Sequence, residues 1–376
     1  MEDIYKDIRP FTDAEMAAVM PRFAGSALVA KAGKVLWSDQ PDDYLPNLVA
    51  QCRTTEDLHE KVISKAMLRD LELTHSSLSY SGLEYFTKSD GSIGNFVLVS
   101  THRDIVLDPA LVQLALFLNH LPTTEIAAGD NLLENPEVAA AMRANRMIKV
   151  VRSDNPRVVY NTSKLLSAYI REKVNAKDGR SVWISHRGGR TKDGCDRTEQ
   201  GLLKMLDMSG TGSFYENFAQ LNLMPVTISY EYETCGALKA LELYTKEQQG
   251  FYHKKPGEDN NSMLLGFMQH KGRIHVDFAE PLTNEELLQA DSAQRNDKFR
   301  TLASILDERL KKSFKLWPTN YAAADILKGG TEYFEQGFYT LEEKESLIER
   351  LKKESEGMPS EIYNRMLQLY AAHLMN

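Results

Sequence analysis

The chain has 376 residues, 42% hydrophobic and 26% charged, with a formal net charge of −8. Such a composition belongs to a globular chain with room for about two domains and a full core, and it argues against a disordered, fibrous or collagen-like protein. Its three cysteines, Cys52, Cys195 and Cys235, are far apart and lack any Cys-x-x-Cys or Cys/His spacing, which argues against a disulfide framework or a zinc finger and fits a reducing cytoplasm.

The N-terminal MEDIYKDIRPF is charged and has no apolar signal core. Residues 1–88 read as a helical region: SDQPDDYLPNLVAQC and TEDLHEKVISKAMLRDLEL carry apolar residues at three-to-four spacing, with Thr55 as an N-cap. From 89 to 282 the pattern alternates. Strand-like NFVLVS precedes helical PALVQLALFLNHL (109–121), then come TEIAAG, PEVAAAMRAN, RMIKVVR, a helix through VYNTSKLLSAYIREKV, SVWIS, a helix near TEQGLLKML, MPVTISY and RIHVDFAE. This order predicts an α/β fold with a mixed, largely parallel sheet flanked by helices. Residues 283–376 read as helix again, in SAQRNDKFRTLASILDERLKK and TLEEKESLIERLKKES, so both ends of the chain are helical extensions. GGTEYFEQG and KKPGEDNN (254–261) are the expected exposed loops. The apolar run at 109–121 is shorter than the roughly 18 residues a membrane span needs, and its place after a strand predicts a core helix rather than an interfacial one.

Charge is uneven. Between Arg143 and Lys204 there are fifteen Lys/Arg against six Asp/Glu, a local balance of +9 that leaves −17 on the remainder. Most of these side chains are expected simply to face water. A subset converging on an anion, either a substrate phosphate or an acidic membrane surface, is the functional alternative. Nucleic acid is not an expected partner, because the chain is acidic overall and the segment has no aromatic interleaving.

In THRDIVLD (101–108), His102 emerges where NFVLVS ends and Asp108 follows one short turn later, before Pro109. Active sites of α/β folds lie at the carboxyl ends of strands, and a carboxylate beside an imidazole makes a general base of it. A structural histidine with an N-capping aspartate is an equally good reading of the pair alone. His-Arg-Asp also occurs in protein kinase catalytic loops, but the magnesium-binding asparagine position is here Pro109, and no DFG run or glycine-rich loop with its strand lysine is present. SGTGS (209–213) lacks the lysine of a phosphate-binding loop and reads as a turn. Three further segments stand at strand ends. AAGDNLL has Gly129, placed for an unusual backbone angle; ISHRGGRTKDG has adjacent Gly188 and Gly189 between Arg187 and Arg190, with Thr191 and Lys192 following; PVTISYEYE is a strand started by Pro225. A glycine loop with guanidinium groups can approach an oxyanion.

Taken in order, the His-Arg…Asp site, G-D-N-L, a strand ending in Arg152, G-G-R-T, P-V-T-I-S-Y-E and G-R-I-H-V-D-F-A-E-P-L resemble the glycerolipid acyltransferase superfamily over roughly residues 95–282. The likeness is to the branch of bacterial glycerol-3-phosphate and dihydroxyacetone-phosphate acyltransferases. The resemblance implies an O-acyltransferase in phospholipid biosynthesis, with acyl-CoA or acyl carrier protein as donor and an anionic glycerol-type acceptor. It makes His102 the base and Asp108 its orienting partner, assigns Arg152 and Arg190 to an acceptor phosphate, and places Gly129 and Asn131 in the acceptor pocket. Arg103, Arg187, Gly188, Gly189, Thr191 and Lys192 join them as substrate-binding candidates. No metal or redox cofactor is implied. The protein is expected in the cytoplasm, with peripheral contact on the inner face of the membrane.

Two departures stand out. Five residues, RDIVL, separate His102 from Asp108 where the family has four, so Leu107 occupies the usual aspartate position and either the turn bulges, Asp104 substitutes, or the pair is broken. Arg187 replaces a glutamate before the glycines. The extra positive charge suits a phosphate or a lysophospholipid headgroup, and also another anionic acceptor such as an acylated amino acid. A non-catalytic lipid- or acyl-carrier-binding protein and a thioester hydrolase are the competing readings.

Overall fold

The computed structural model describes residues 3–133, 135–177 and 179–375. Its centre is a seven-stranded sheet of β1 (Ser77–Ser81), β2 (Val97–Ser100), β3 (Glu125–Gly129), β4 (Met147–Val150), β5 (Val182–Ser185), β6 (Leu223–Tyr230) and β7 (Arg273–Phe278), in the spatial order β1-β7-β6-β2-β5-β3-β4. Every neighbouring pair is parallel except β6 with β7. The sheet is thus mixed and mostly parallel, flanked by helices.

Alternation along β2 shows how the layers form. Val97 and Val99 point into one apolar layer with Leu166, Ile170, Leu203 and Leu306, whereas Leu98 points into the other with Leu107, Leu111, Trp183 and Val276. Both faces are covered, so all four residues of β2 are buried and the strand reads as a continuous apolar run. Helix Leu107–Leu118 supplies the second layer: Leu107, Leu111, Val112, Ala115 and Leu116 are fully buried there, so it is a core helix.

Strand β1 lies inside the segment expected to be helical. Its sequence, SLSYS, is mostly polar and exposed because it is an edge strand, and it is recruited by pairing Ser77–Ser81 with Arg273–Asp277. The sheet therefore starts at Ser77, ahead of the 89–282 segment. Pro225 is not the first residue of β6 but the third, opposite Val99 on one side of the strand. The predicted cap at Thr55 shifts by one: Thr54 accepts from Asp57 N, and Asp57 returns a bond to the Thr54 amide, which closes a capping box that Thr55 cannot form. Much of the 254–261 stretch departs from a loop as well, since a helix starts at Glu258 and runs to Met268. Within GGTEYFEQG, Glu332–Glu335 forms a single helical turn.

The N-terminal helices pack around Met16, Met20, Leu45 and Leu58, and the C-terminal ones around Leu347, Met366 and Tyr370. Among the described residues no helix is long and apolar enough to cross a membrane.

One buried imidazole ties the N-terminal helices to the sheet. His59 Nε2 donates to Asn145 Oδ1 at 2.7 Å and Nδ1 accepts from Thr123 Oγ1 at 2.9 Å. Burial, reinforced by the Arg146 charge, pushes its pKa down from 6.5 to about 4. The folded state thus resists protonation that the unfolded chain accepts, and the stabilisation present above pH 6.5 is lost as pH falls towards 4. Relative to His59→Gln, the wild type is expected to lose about 3 kcal/mol between pH 7 and pH 4. Denaturant titrations of both proteins across that range check it; parallel pH profiles would show that His59 does not contribute.

Candidate active site

Four parallel strands deliver their carboxyl ends to one edge of the sheet: β2 ends before His102, β3 at Gly129, β4 before Arg152, and β5 at Ser185 before the loop that carries Gly189 and Arg190. A cavity of about 120 Å³ opens there, with His102, Gly129, Asn131, Arg152, Gly189 and Arg190 in its wall. Ile105, Ile126, Met142, Met147 and Trp183 make an apolar side, while Lys254 and Asp259 close another.

The pairing of His102 depends on how the chain turns between it and Asp108. Asp104 Oδ1 accepts from the amides of Val106 and Leu107, both at 3.0 Å, which folds the extra residue into a tight turn ahead of the helix. That capping frees Asp108 to point back instead of capping the helix itself. Its Oδ2 lies 3.1 Å from His102 Nδ1 and accepts from the Arg103 amide at 2.5 Å and the Asp104 amide at 2.8 Å; Oδ1 accepts from the Tyr230 hydroxyl at 2.7 Å. Four donors and complete burial match the acceptor-only capacity of a carboxylate. Burial, with Asp108 adding to it, holds the Tyr230 pKa well above the ordinary 10, so its O–H remains a donor. With Nδ1–H directed at Asp108, the lone pair of His102 sits on Nε2, which has no hydrogen-bond partner among the described residues. Trp183 meets the imidazole edge-on, with ring centroids 5.8 Å apart. Gly266 leaves room for Asp104, since a Cβ there would come within 2.2 Å of Oδ2.

Gly129 serves by its lack of volume and not by an unusual angle, its φ being an ordinary −65°. A Cβ would lie 2.6 Å from Asn131 Oδ1 and 2.9 Å from Arg152 Nε, so the glycine allows that guanidinium to lie against the strand end. Gly129→Ala is therefore expected to displace Arg152 and lower kcat/KM for an anionic acceptor roughly ten- to a hundredfold. Steady-state kinetics with the acceptor varied would check this, and an unchanged kcat/KM would contradict it.

Residues 187–192 divide. Gly189, at φ +79°, and Arg190 reach the cavity, and Arg190 Nη1 is buried with no hydrogen-bond partner among the described residues. Arg187, Gly188, Thr191 and Lys192 do not line it. The Gly188 amide donates to Glu199, Thr191 is buried with its hydroxyl on Asp196, and the Lys192 ammonium is paired with Glu242. Arg103 is also turned away. It is 2% exposed and binds Asp196 at 2.6 Å, because consecutive residues leaving a strand point to opposite sides. Much of the basic segment proves structural in the same way: Arg146 and Arg180 share Glu56, and Lys173 pairs with Glu125.

Sequence reasoning missed Tyr230, Trp183, Lys254 and Asp259. Tyr230 and Trp183 read as strand filler, and the 2.6 Å Lys254–Asp259 ion pair comes from a polar stretch far along the chain. Among the described residues no group of His, Cys, Asp and Glu is placed to hold a metal ion.

Residues 77–229 match the family described as Acyltransferase. The match makes this segment an acyltransferase domain. The acyltransferase domain so defined opens at β1 and closes within β6, and it contains His102, Asp108, Arg152 and Arg190. Among solved structures, the 1-acyl-sn-glycerophosphate (LPA) acyltransferase PlsC from Thermotoga maritima is similar to the chain with 13% identity and a TM-score of 0.42, covering 80% of this chain and 97% of that one. No curated protein matches the chain.

Proposed function

We propose that this acyltransferase moves a fatty acyl group from a thioester, on CoA or acyl carrier protein, to a hydroxyl of an anionic, phosphorylated glycerol-type acceptor. The observation that carries the reading is the unpartnered Nε2 of His102, held by Asp108, in a cavity that also presents Arg152 and Arg190. Nε2 takes the proton of the acceptor hydroxyl as its oxygen attacks the thioester carbonyl carbon. The carbon–sulfur bond then breaks, and the proton held on Nε2 passes to the departing thiolate. Asp108 stabilises the transient imidazolium, and no acyl group need rest on the protein. Arg152 and Arg190 supply two cationic groups for the acceptor anion, which orients its hydroxyl towards the base.

The test compares matched acceptors. Purified protein is given labelled acyl-CoA and labelled acyl carrier protein with glycerol 3-phosphate, lysophosphatidate, unphosphorylated glycerol or an acylated amino acid. Label is expected in the phosphorylated acceptors. Transfer confined to the acylated amino acid would overturn the acceptor, release of free fatty acid alone would point to a hydrolase, and bound but unreacted thioester would point to a carrier-binding protein.

A further inference from the structure

Behind the catalytic loop, on the side away from the cavity, Arg103, Thr191 and His373 meet around one carboxylate. Asp196 Oδ2 binds Arg103 Nη2 at 2.6 Å and lies 3.3 Å from His373 Nε2, while Oδ1 accepts from the Thr191 hydroxyl at 2.6 Å. Arg103 directly follows His102. Thr191 directly follows Arg190, and its amide donates to the His102 carbonyl at 2.7 Å. One carboxylate therefore fixes both the strand exit that carries the base and the loop that carries the cavity arginine.

One of the three comes from the far end of the chain. His373 lies in helix Glu361–Met375, where its Nε2 is 2.9 Å from Arg103 Nη2 and its ring stacks on Phe314 at 3.8 Å, nearly parallel. The Arg103 guanidinium lies over the same Phe314 ring, 5.1 Å from its centroid, and reaches the buried Glu233, itself paired with Lys239. Because a guanidinium can only donate, a neutral His373 accepts from it at Nε2. Burial, with Arg103 adding to it, lowers the pKa of His373 and so favours that neutral form.

We infer that the C-terminal helix is a working part of the active site, His373 acting with Asp196 and Arg103 as positioning residues that hold His102 in register with Asp108. This inference rests on His102 being the base, as proposed above. None of the three lines the cavity, and His373 meets Asp196 on the Oδ2 side shared with Arg103, away from the Oδ1 that holds Thr191 and the Arg190 loop, so its loss acts first on the base.

The His373→Ala variant is expected to lower kcat about tenfold with the acceptor KM within twofold, a loss of about 1.4 kcal/mol in transition-state stabilisation. His373→Gln, whose side-chain carbonyl reaches the position of Nε2, is expected to restore most of the rate. The nitrogen spectrum of the histidine rings reads the same event without any assay: His102 is expected as a single Nδ1–H tautomer in the wild type and the glutamine variant, and as a tautomer mixture in the alanine variant. Should the alanine variant be insoluble, His373→Asn, too short to reach Arg103, takes its place. Wild-type kcat and His102 tautomer in the short variants would overturn the inference, and so would a glutamine variant as impaired as alanine. If no acceptor is acylated at all, the proposed function fails while the tautomer measurement still decides the positioning role.

Discussion

His102→Ala is expected to lower kcat by about 10²–10⁴-fold, the range a positioned general base supplies. The loss should fall on kcat with little change in the acceptor KM, because the groups facing the acceptor anion, Arg152 and Arg190, are untouched. Folding should survive, since the imidazole sits at the cavity wall and its only hydrogen-bond partner among the described residues is Asp108. Equal melting temperatures would show that the effect is chemical. Added imidazole should restore part of the rate by entering the vacated space. A variant within threefold of wild type would remove His102 from the mechanism.

Asp108 carries the second large effect, and here activity and stability move together. Asp108→Ala strands the Tyr230 hydroxyl and the amides of Arg103 and Asp104 in a buried environment, in addition to freeing the imidazole. Each orphaned donor costs about 1–3 kcal/mol, so a stability loss of roughly 3 kcal/mol or more is expected in denaturant titrations. Asp108→Asn separates the two roles. Its amide fills the same space and its oxygen can still accept, which preserves much of the stability. The ring and the amides of Arg103 and Asp104 all meet Oδ2, so the asparagine oxygen takes that place and its NH₂ faces the Tyr230 hydroxyl, which can accept; what the variant loses is the charge that stabilises the imidazolium. A loss of kcat of about 10²-fold or more with a small stability change is therefore expected for Asp108→Asn. A fast asparagine variant would mean that Asp108 is only a structural acceptor.

Why some of this was legible in the sequence follows from burial and chain locality. β2, β5 and β6 sit between two helical layers, so NFVLVS, SVWIS and MPVTISY stand out as apolar runs, and the helix of 107–118 follows one of them directly. β1 was hidden because it is a short edge strand whose residues are mostly serine, with Leu78 alone packed against the apolar core. His102 and Asp108 were visible as a pair because one turn joins them; the bulged spacing became understandable only with Asp104 seen capping the turn. Arg103 was misassigned through adjacency to His102, although its side chain leaves the strand on the opposite side and meets Asp196 and His373. The following loop divides too: Gly189 and Arg190 reach the cavity wall, whereas Thr191 and Lys192 are held by Asp196 and Glu242. Lys254, Asp259 and His373 come from segments that the fold alone brings to this edge.

The central claim is that His102 drives direct transfer from thioester to hydroxyl, and a single-turnover experiment with intact-protein mass analysis tests it. Labelled acyl thioester and phosphorylated acceptor are mixed with excess protein, wild type or His102→Ala. The expected result is labelled ester from the wild type, almost none from the variant, and protein of unchanged mass throughout. A stable acyl group on the protein, or equal ester from both proteins, would contradict it.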